Sequence, residues 1–167
     1  MKKLTISGLL VLLFINSKAQ TNPETTYDFW IGTWNLTWTG ANGQEEKGRN
    51  TITKILDGKV IQENFEALEG AQKGYKGKSM SVYNPASKTW YQTWVDNQGA
   101  NINFTGEVDG ERKIFKTATQ NRNGQQIISR MVFYNITQNS FMWDWESTAD
   151  GGKTWKLNWR IRYNRAL

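Results

Sequence analysis

Apolar and polar positions alternate along most of this chain with a period of two. In "WKLNWRIRY", residues 155–163, Trp155, Leu157, Trp159, Ile161 and Tyr163 fall on one parity. Lys156, Asn158, Arg160 and Arg162 fall on the other. "FMWDWES" sets Phe141, Trp143 and Trp145 against Met142, Asp144 and Glu146 in the same way. Successive side chains of a strand point to opposite faces, so the pattern predicts strands with one buried and one wet face. A helix would scatter the charges of 156–162 around its circumference. No window after residue 20 carries an apolar stripe at helical spacing. The one helical signal is "NPETTYDF", where Asn22 reads as a cap and Pro23 as the first helical residue.

Turn clusters punctuate the alternation every eight to fifteen residues, among them "LDGK" at 56–59, "NPASK" at 84–88, "NRNGQ" at 121–125 and "ADGGK" at 149–153. Gly, Asn and Asp tolerate the left-handed conformations that hairpin turns demand. The runs between them predict about ten strands: 32–40, 47–56, 59–68, 76–84, 89–96, 101–109, 112–120, 125–137, 140–148 and 154–163. Short connections make neighbours antiparallel. A long sheet with one apolar face closes on itself to remove its edges. The expected fold is all-β, a single antiparallel meander β-barrel of about ten strands, with a β-sandwich as the second possibility.

The start of the chain reads differently. "MKK" is basic, "LTISGLLVLLFI" is apolar, and "SKA" before Gln20 offers small residues where a signal peptidase cuts. Residues 1–19 are expected to be a cleaved signal peptide and 20–167 a single domain, periplasmic or secreted, in a bacterial pattern. The apolar run is shorter than the roughly 20 residues of a spanning helix, so no stable membrane insertion is expected. Lys2, Lys3 and Lys18 leave with that segment and take the net charge from +6 to +3. So mild a charge, with no basic stripe, argues against nucleic acid.

The chain has no cysteine and no histidine. That excludes a disulfide, a Cys/His zinc site, a histidine-held haem, and Ser-His-Asp or Cys-His nucleophiles. No metal or cofactor is expected.

Tryptophan carries the remaining signal, with nine residues. Trp34 and Trp38, Trp90 and Trp94, Trp143 and Trp145, and Trp155 and Trp159 are pairs at even spacing, so each pair shares a strand face. They are core filler, or they wall a cavity. Trp38, Trp90, Trp94, Trp143, Trp145 and Trp159 are the candidates for touching a ligand. In "KTWYQTWVDNQG", 88–99, Gln92 and Asp96 share a face with Trp90 and Trp94. If that face points inward, Gln92 and Asp96 need partners or a ligand. If it points outward, Tyr91, Thr93 and Val95 fill the core instead. Glu63 shares a face with Ile61 and Phe65, and Arg130 with Ile128 and Val132. They read as an inward carboxylate and its counter-charge, or as solvated strand charges.

"STADGGKTW" at 147–155 matches the aspartate-box pattern at Thr148, Asp150, Gly152, Thr154 and Trp155. It predicts a stapled turn, with Asp150 accepting hydrogen bonds from the turn's own backbone and Trp155 packed beneath. One box in a chain of this length does not make a propeller. The sequons at Asn35, Asn103 and Asn135 read as products of polar alternation.

"GTW", Gly32-Thr33-Trp34, resembles the Gly-x-Trp signature of lipocalins and the wider calycin group. With "ILDGKVIQENF", "WYQTWVDNQG" and "ESTADGGKTW…RY" it is similar to a family of small secreted bacterial proteins of unknown function with a lipocalin-like barrel. The resemblance covers nearly all of 27–163. It implies that Trp34 closes the barrel base under a basic residue of the last strand, Arg160 or Arg162. The lipocalin disulfide and the haem histidine of nitrobindin-like barrels are both absent here. The resemblance implies a fold and no activity.

Three functions remain open at this point. The first is a barrel binding a small hydrophobic or aromatic ligand. The second is a cavity enzyme (isomerase, cyclase, hydratase, or carbohydrate lyase or hydrolase) working through Glu63, Asp96 and Arg130. The third is a carbohydrate-binding module with exposed indole platforms.

Overall fold

A computed structural model describes residues 22–166. The expected signal segment, 1–19, lies outside the described residues. Pro23–Thr25 and Asp28–Trp30 form two single-turn 3-10 helices, and the Asn22 side chain accepts from the Glu24 N–H at 3.0 Å. Eleven strands follow: β1 (Gly32–Thr39), β2 (Glu45–Ile55), β3 (Val60–Ala67), β4 (Lys76–Asn84), β5 (Thr89–Asp96) and β6 (Asn101–Asp109). Then come β7 (Arg112–Lys116), β8 (Gln120–Arg122), β9 (Gln125–Tyr134), β10 (Ser140–Thr148) and β11 (Lys156–Arg165).

All strand pairs are antiparallel, and ten strands close a barrel: β1 to β7 in order, then β9, β10 and β11, with β11 returning to β1. β8 is an extra strand on β9. The sequence pattern ran one strand through 112–120. Here the Thr117 hydroxyl accepts from the Ser129 N–H, ending the β7–β9 ladder, and Asn123-Gly124, both at positive φ, turn a separate hairpin. No helix among the described residues is long and apolar enough to cross a membrane.

The N-terminal turns plug one end of the barrel. Tyr27, Trp30 and Trp34 are fully buried there among Phe115, Phe133 and Phe141. Tyr27 stacks on Phe115 at 4.2 Å and donates to the Ile114 carbonyl at 2.7 Å. The Trp34 indole donates to the Trp30 carbonyl at 2.7 Å. Arg165 covers Trp34 from outside, its guanidinium carbon 4.2 Å from the ring centroid. Arg165 therefore takes the place expected for Arg160 or Arg162. The reason is parity: 160 and 162 point out to solvent, whereas 165 shares the face of Ile161 and Tyr163. Gly32, at φ 137°, lies against the Arg165 guanidinium, where a Cβ would collide.

The alternation misleads at one further place. Trp145 pairs with Trp159, but Glu146 pairs with Leu157, so Asn158 is an inserted residue in a β-bulge. Residues before it change face. Leu157 is exposed, and Trp155 lies on the outer wall under the Arg130 guanidinium at 3.7 Å. Trp155 and Trp159 do not share a face.

Candidate ligand cavity

Between the plug and the opposite end lies a cavity of about 160 Å³. Its wall is made by alternate residues of six strands and the turn before β4. β3 supplies Glu63 and Phe65, β5 supplies Trp94 and Asp96, and β6 supplies Ile102 and Phe104. Met131 comes from β9, Trp143 and Trp145 from β10, and Trp159, Ile161 and Tyr163 from β11, while Tyr75 precedes β4. The rings meet edge to face: Trp143 on Trp159 at 89°, Phe65 on Trp159 at 84° and Phe104 on Trp145 at 79°. Such packing fixes ring faces at right angles around the space.

Small residues on β4 make room for this wall. Gly77, Ser79 and Ser81 point inward, while Met80 and Val82 are exposed, an inversion of the usual pattern. Ser79 faces Trp94 across the ladder, and a Cβ at Gly77 would enter the Trp94 ring.

One polar cluster interrupts the apolar wall. Glu63 is buried; its Oε1 accepts from Asn50 Nδ2 and its Oε2 from Ser79 Oγ, both at 2.6 Å. Asn50 Nδ2 also donates to the Tyr163 hydroxyl at 3.2 Å. Burial pushes the Glu63 carboxyl up to about 7, against the opposing pull of the Ser79 and Asn50 hydrogen bonds. Burial also pushes Tyr163 up, helped by the neighbouring Glu63, so this phenol stays neutral. The Asn50 Oδ1, the Gln92 Oε1 and the Trp159 indole N–H are buried without a protein partner.

Asp96 belongs to the rim. It accepts from the Tyr75 hydroxyl at 2.8 Å, the Trp94 indole at 3.1 Å, and the Gln98 and Ala100 N–H groups at 2.9 Å. Partial desolvation raises its pKa, but these bonds outweigh it and hold the group below the ordinary carboxylate range. Asp96 is the ionised carboxylate of the site and Glu63 the protonatable one.

The candidate residues thus separate by position. Glu63, Trp94, Asp96, Trp143, Trp145 and Trp159 meet at the cavity. Gln92 is buried beside it, donating to Ser81 Oγ at 3.0 Å. Trp90 faces inward at the plugged end, packed on Tyr27 and donating to the Pro23 carbonyl at 2.8 Å. Trp38 backs the wall: it lies edge-on to Trp159, and its indole donates to Glu46 Oε2 at 2.8 Å. Arg130 is on the outer face, paired with Glu146 at 2.7 Å, and is not the counter-charge of Glu63. The aspartate-box turn is also remote from the cavity. Asp150 there accepts from the Lys153 and Thr154 N–H groups and from the Thr148 and Thr154 hydroxyls.

Asn50, Ser79, Tyr163 and Glu46 were not among the candidates. Tyr163 and Ser79 carry the right parity, the first with Ile161 and the second opposite the exposed Met80. Asn50 and Glu46 follow a strand, "EEKGRNTI", whose inward positions are mostly polar or glycine, so periodicity gave no sign of them.

No protein-family model matches this chain, and no curated protein matches it in sequence.

Proposed function

We propose that this protein binds one small apolar or aromatic molecule in the indole-walled cavity. The observation that carries the reading is the wall itself, with eight aromatic side chains around about 160 Å³. An apolar protein cavity of about 150 Å³ holds a benzene molecule, so the space suits a single ring. Small-molecule sites combine such a surface with a few placed polar groups, here Glu63, Tyr163 and Asp96. The basic-apolar-small pattern of residues 1–19 supports export, and with it a periplasmic or secreted place of action.

The carbohydrate alternative is the weaker one. The four cavity indoles line an enclosure, and among the described residues no tryptophan stands with the exposed large hydrophobics. Catalysis is the second reading, favoured by one observation: Glu63 is a buried cavity carboxyl whose pKa lies near neutrality, as a general acid or base requires. Arg130 takes no part in it.

Titration with benzyl alcohol, followed by tryptophan emission, tests the binding reading. A saturable change at one ligand per chain is expected. Met131→Trp, which adds bulk to the wall beside Trp145, should abolish it. A wild-type protein with no saturable response, or a Met131→Trp protein that binds as well, would overturn the reading.

A further inference from the structure

The cavity carries charge of one sign. Glu63 and Asp96 are its carboxylates, and no lysine or arginine lines it. Glu63 also takes part in none of the ion pairs formed among the described residues. A buried ionisable group with no counter-charge costs stability, and such groups concentrate at sites of function. Each Glu63 oxygen accepts one hydrogen bond and retains a second lone pair. Asn50 presents its NH2 to Glu63 and leaves its own Oδ1 unpartnered, which is the orientation that serves a carboxylate. Phe65, Trp143 and Trp159, packed edge to face, line the same cavity as this group, and aromatic faces attract cations.

We propose that the cavity is a receptor for a small organic cation, a primary ammonium carried on a single ring, with the ammonium donating to Glu63 and the ring held among the indoles. This rests on the ligand-cavity reading above and names the class of ligand. The alternatives match the charge of the cavity less well. A carboxylate ligand would meet two like charges and the negative faces of the rings. A neutral ring would seal Glu63 from water and leave it unpaired. An ammonium supplies the missing counter-charge through a charge-assisted bond. Asp96, ionised at the rim, draws cations toward the mouth.

The groups facing Glu63 do not blur its titration. Asn50 on β2 and Ser79 on β4 are neutral. Tyr163 on β11 and Tyr75 before β4 are pushed up by burial and stay protonated, and Asp96 stays ionised. Cation binding should therefore follow the ionisation of Glu63 alone.

Calorimetric titration of the full chain with benzylamine, benzyl alcohol and benzoate tests the proposal with three ligands of matched size. At pH 8 benzylamine, as its ammonium ion, should bind roughly tenfold or more tighter than benzyl alcohol, the worth of a hydrogen bond to a charged group. Benzoate should not bind. Glu63→Gln should remove the advantage of benzylamine over benzyl alcohol. In the wild-type protein, where no substitution intervenes, the advantage of the amine should shrink as pH falls from 8 to 5. Equal binding of amine and alcohol, or an amine advantage that ignores both pH and Glu63→Gln, overturns the cation proposal and leaves the ligand-cavity reading standing. Failure of all three ligands to bind overturns both.

Discussion

Glu63 should make the protein less stable as pH rises toward neutrality, and Glu63→Gln should remove that loss. Below about pH 4.5, the ordinary value for the group, Glu63 is protonated in both folded and unfolded chains. Between 4.5 and about 7 the folded chain still holds a proton that the unfolded chain has released. Each pH unit in that interval favours unfolding by about 1.4 kcal/mol, so the whole interval amounts to about 3 kcal/mol, lost by pH 7. Glutamine is isosteric and neutral. Its Oε1 can accept from Asn50 Nδ2, and its NH2 can donate to the Ser79 hydroxyl, which rotates to accept. The variant should therefore match wild type near pH 5 and exceed it by about 2–3 kcal/mol at pH 8. Asp96 and Asp150 are held below the ordinary carboxylate range and are ionised throughout this window, so they add no slope to it. The assay is urea unfolding by tryptophan emission at half-unit steps from pH 5 to 8. Parallel curves for the two proteins would refute the assignment of Glu63 as a buried, uncompensated carboxyl.

Three further outcomes follow from the packing. Gly77→Ala places a methyl group in the Trp94 ring and should cost about 1–3 kcal/mol in thermal or urea unfolding, with loss of the Trp94–Asp96 bond; an unchanged midpoint would show that Trp94 yields freely. Arg165→Ala removes the cover of Trp34 and the bonds to the Ile31 and Gln138 carbonyls, and should cost about 1–3 kcal/mol in urea unfolding. Lysine at 165 should restore little, because it lacks the planar fork. Asp150→Ala should speed amide hydrogen exchange at Lys153 and Thr154, whose N–H groups it accepts. Because these bonds hold the Asp150 pKa well down, that protection in wild type should persist until pH falls below the ordinary carboxylate range.

Much of the barrel was legible because its strands are half wet. Where one face meets water, parity alone assigns the other, and it set Phe141, Trp143 and Trp145 inward along β10. Turn chemistry gave most strand ends for the same reason. Parity failed where the backbone departs from regularity. The bulge at Asn158 moved Leu157 and Trp155 to the outer wall, and no composition signal marks an inserted residue. It also failed where packing inverts polarity. On β4, room for Trp94 required glycine and serine inside, so Met80 and Val82 were left outside. Arg130 illustrates a different limit. Its neighbours Ile128 and Val132 share its outward face, so an apolar run there did not mark the cavity wall.

Ten of the eleven strand pairings join strands that are adjacent in the chain or separated by one short hairpin. The exception is the β1–β11 seam, which joins Trp34 to Arg165. Local hairpins form in microseconds, whereas a contact between distant parts of the chain waits on a costly loop closure. The slow step of folding should therefore be the docking of β11. Until then β1 and β11 are open edges, and the indoles of the inner wall are bare, the state most prone to pair with another chain. β11 also supplies Trp159, Ile161 and Tyr163, so the cavity does not exist before the seam closes. A ligand of the proposed kind would bind only the finished barrel, and in doing so would hold the seam shut.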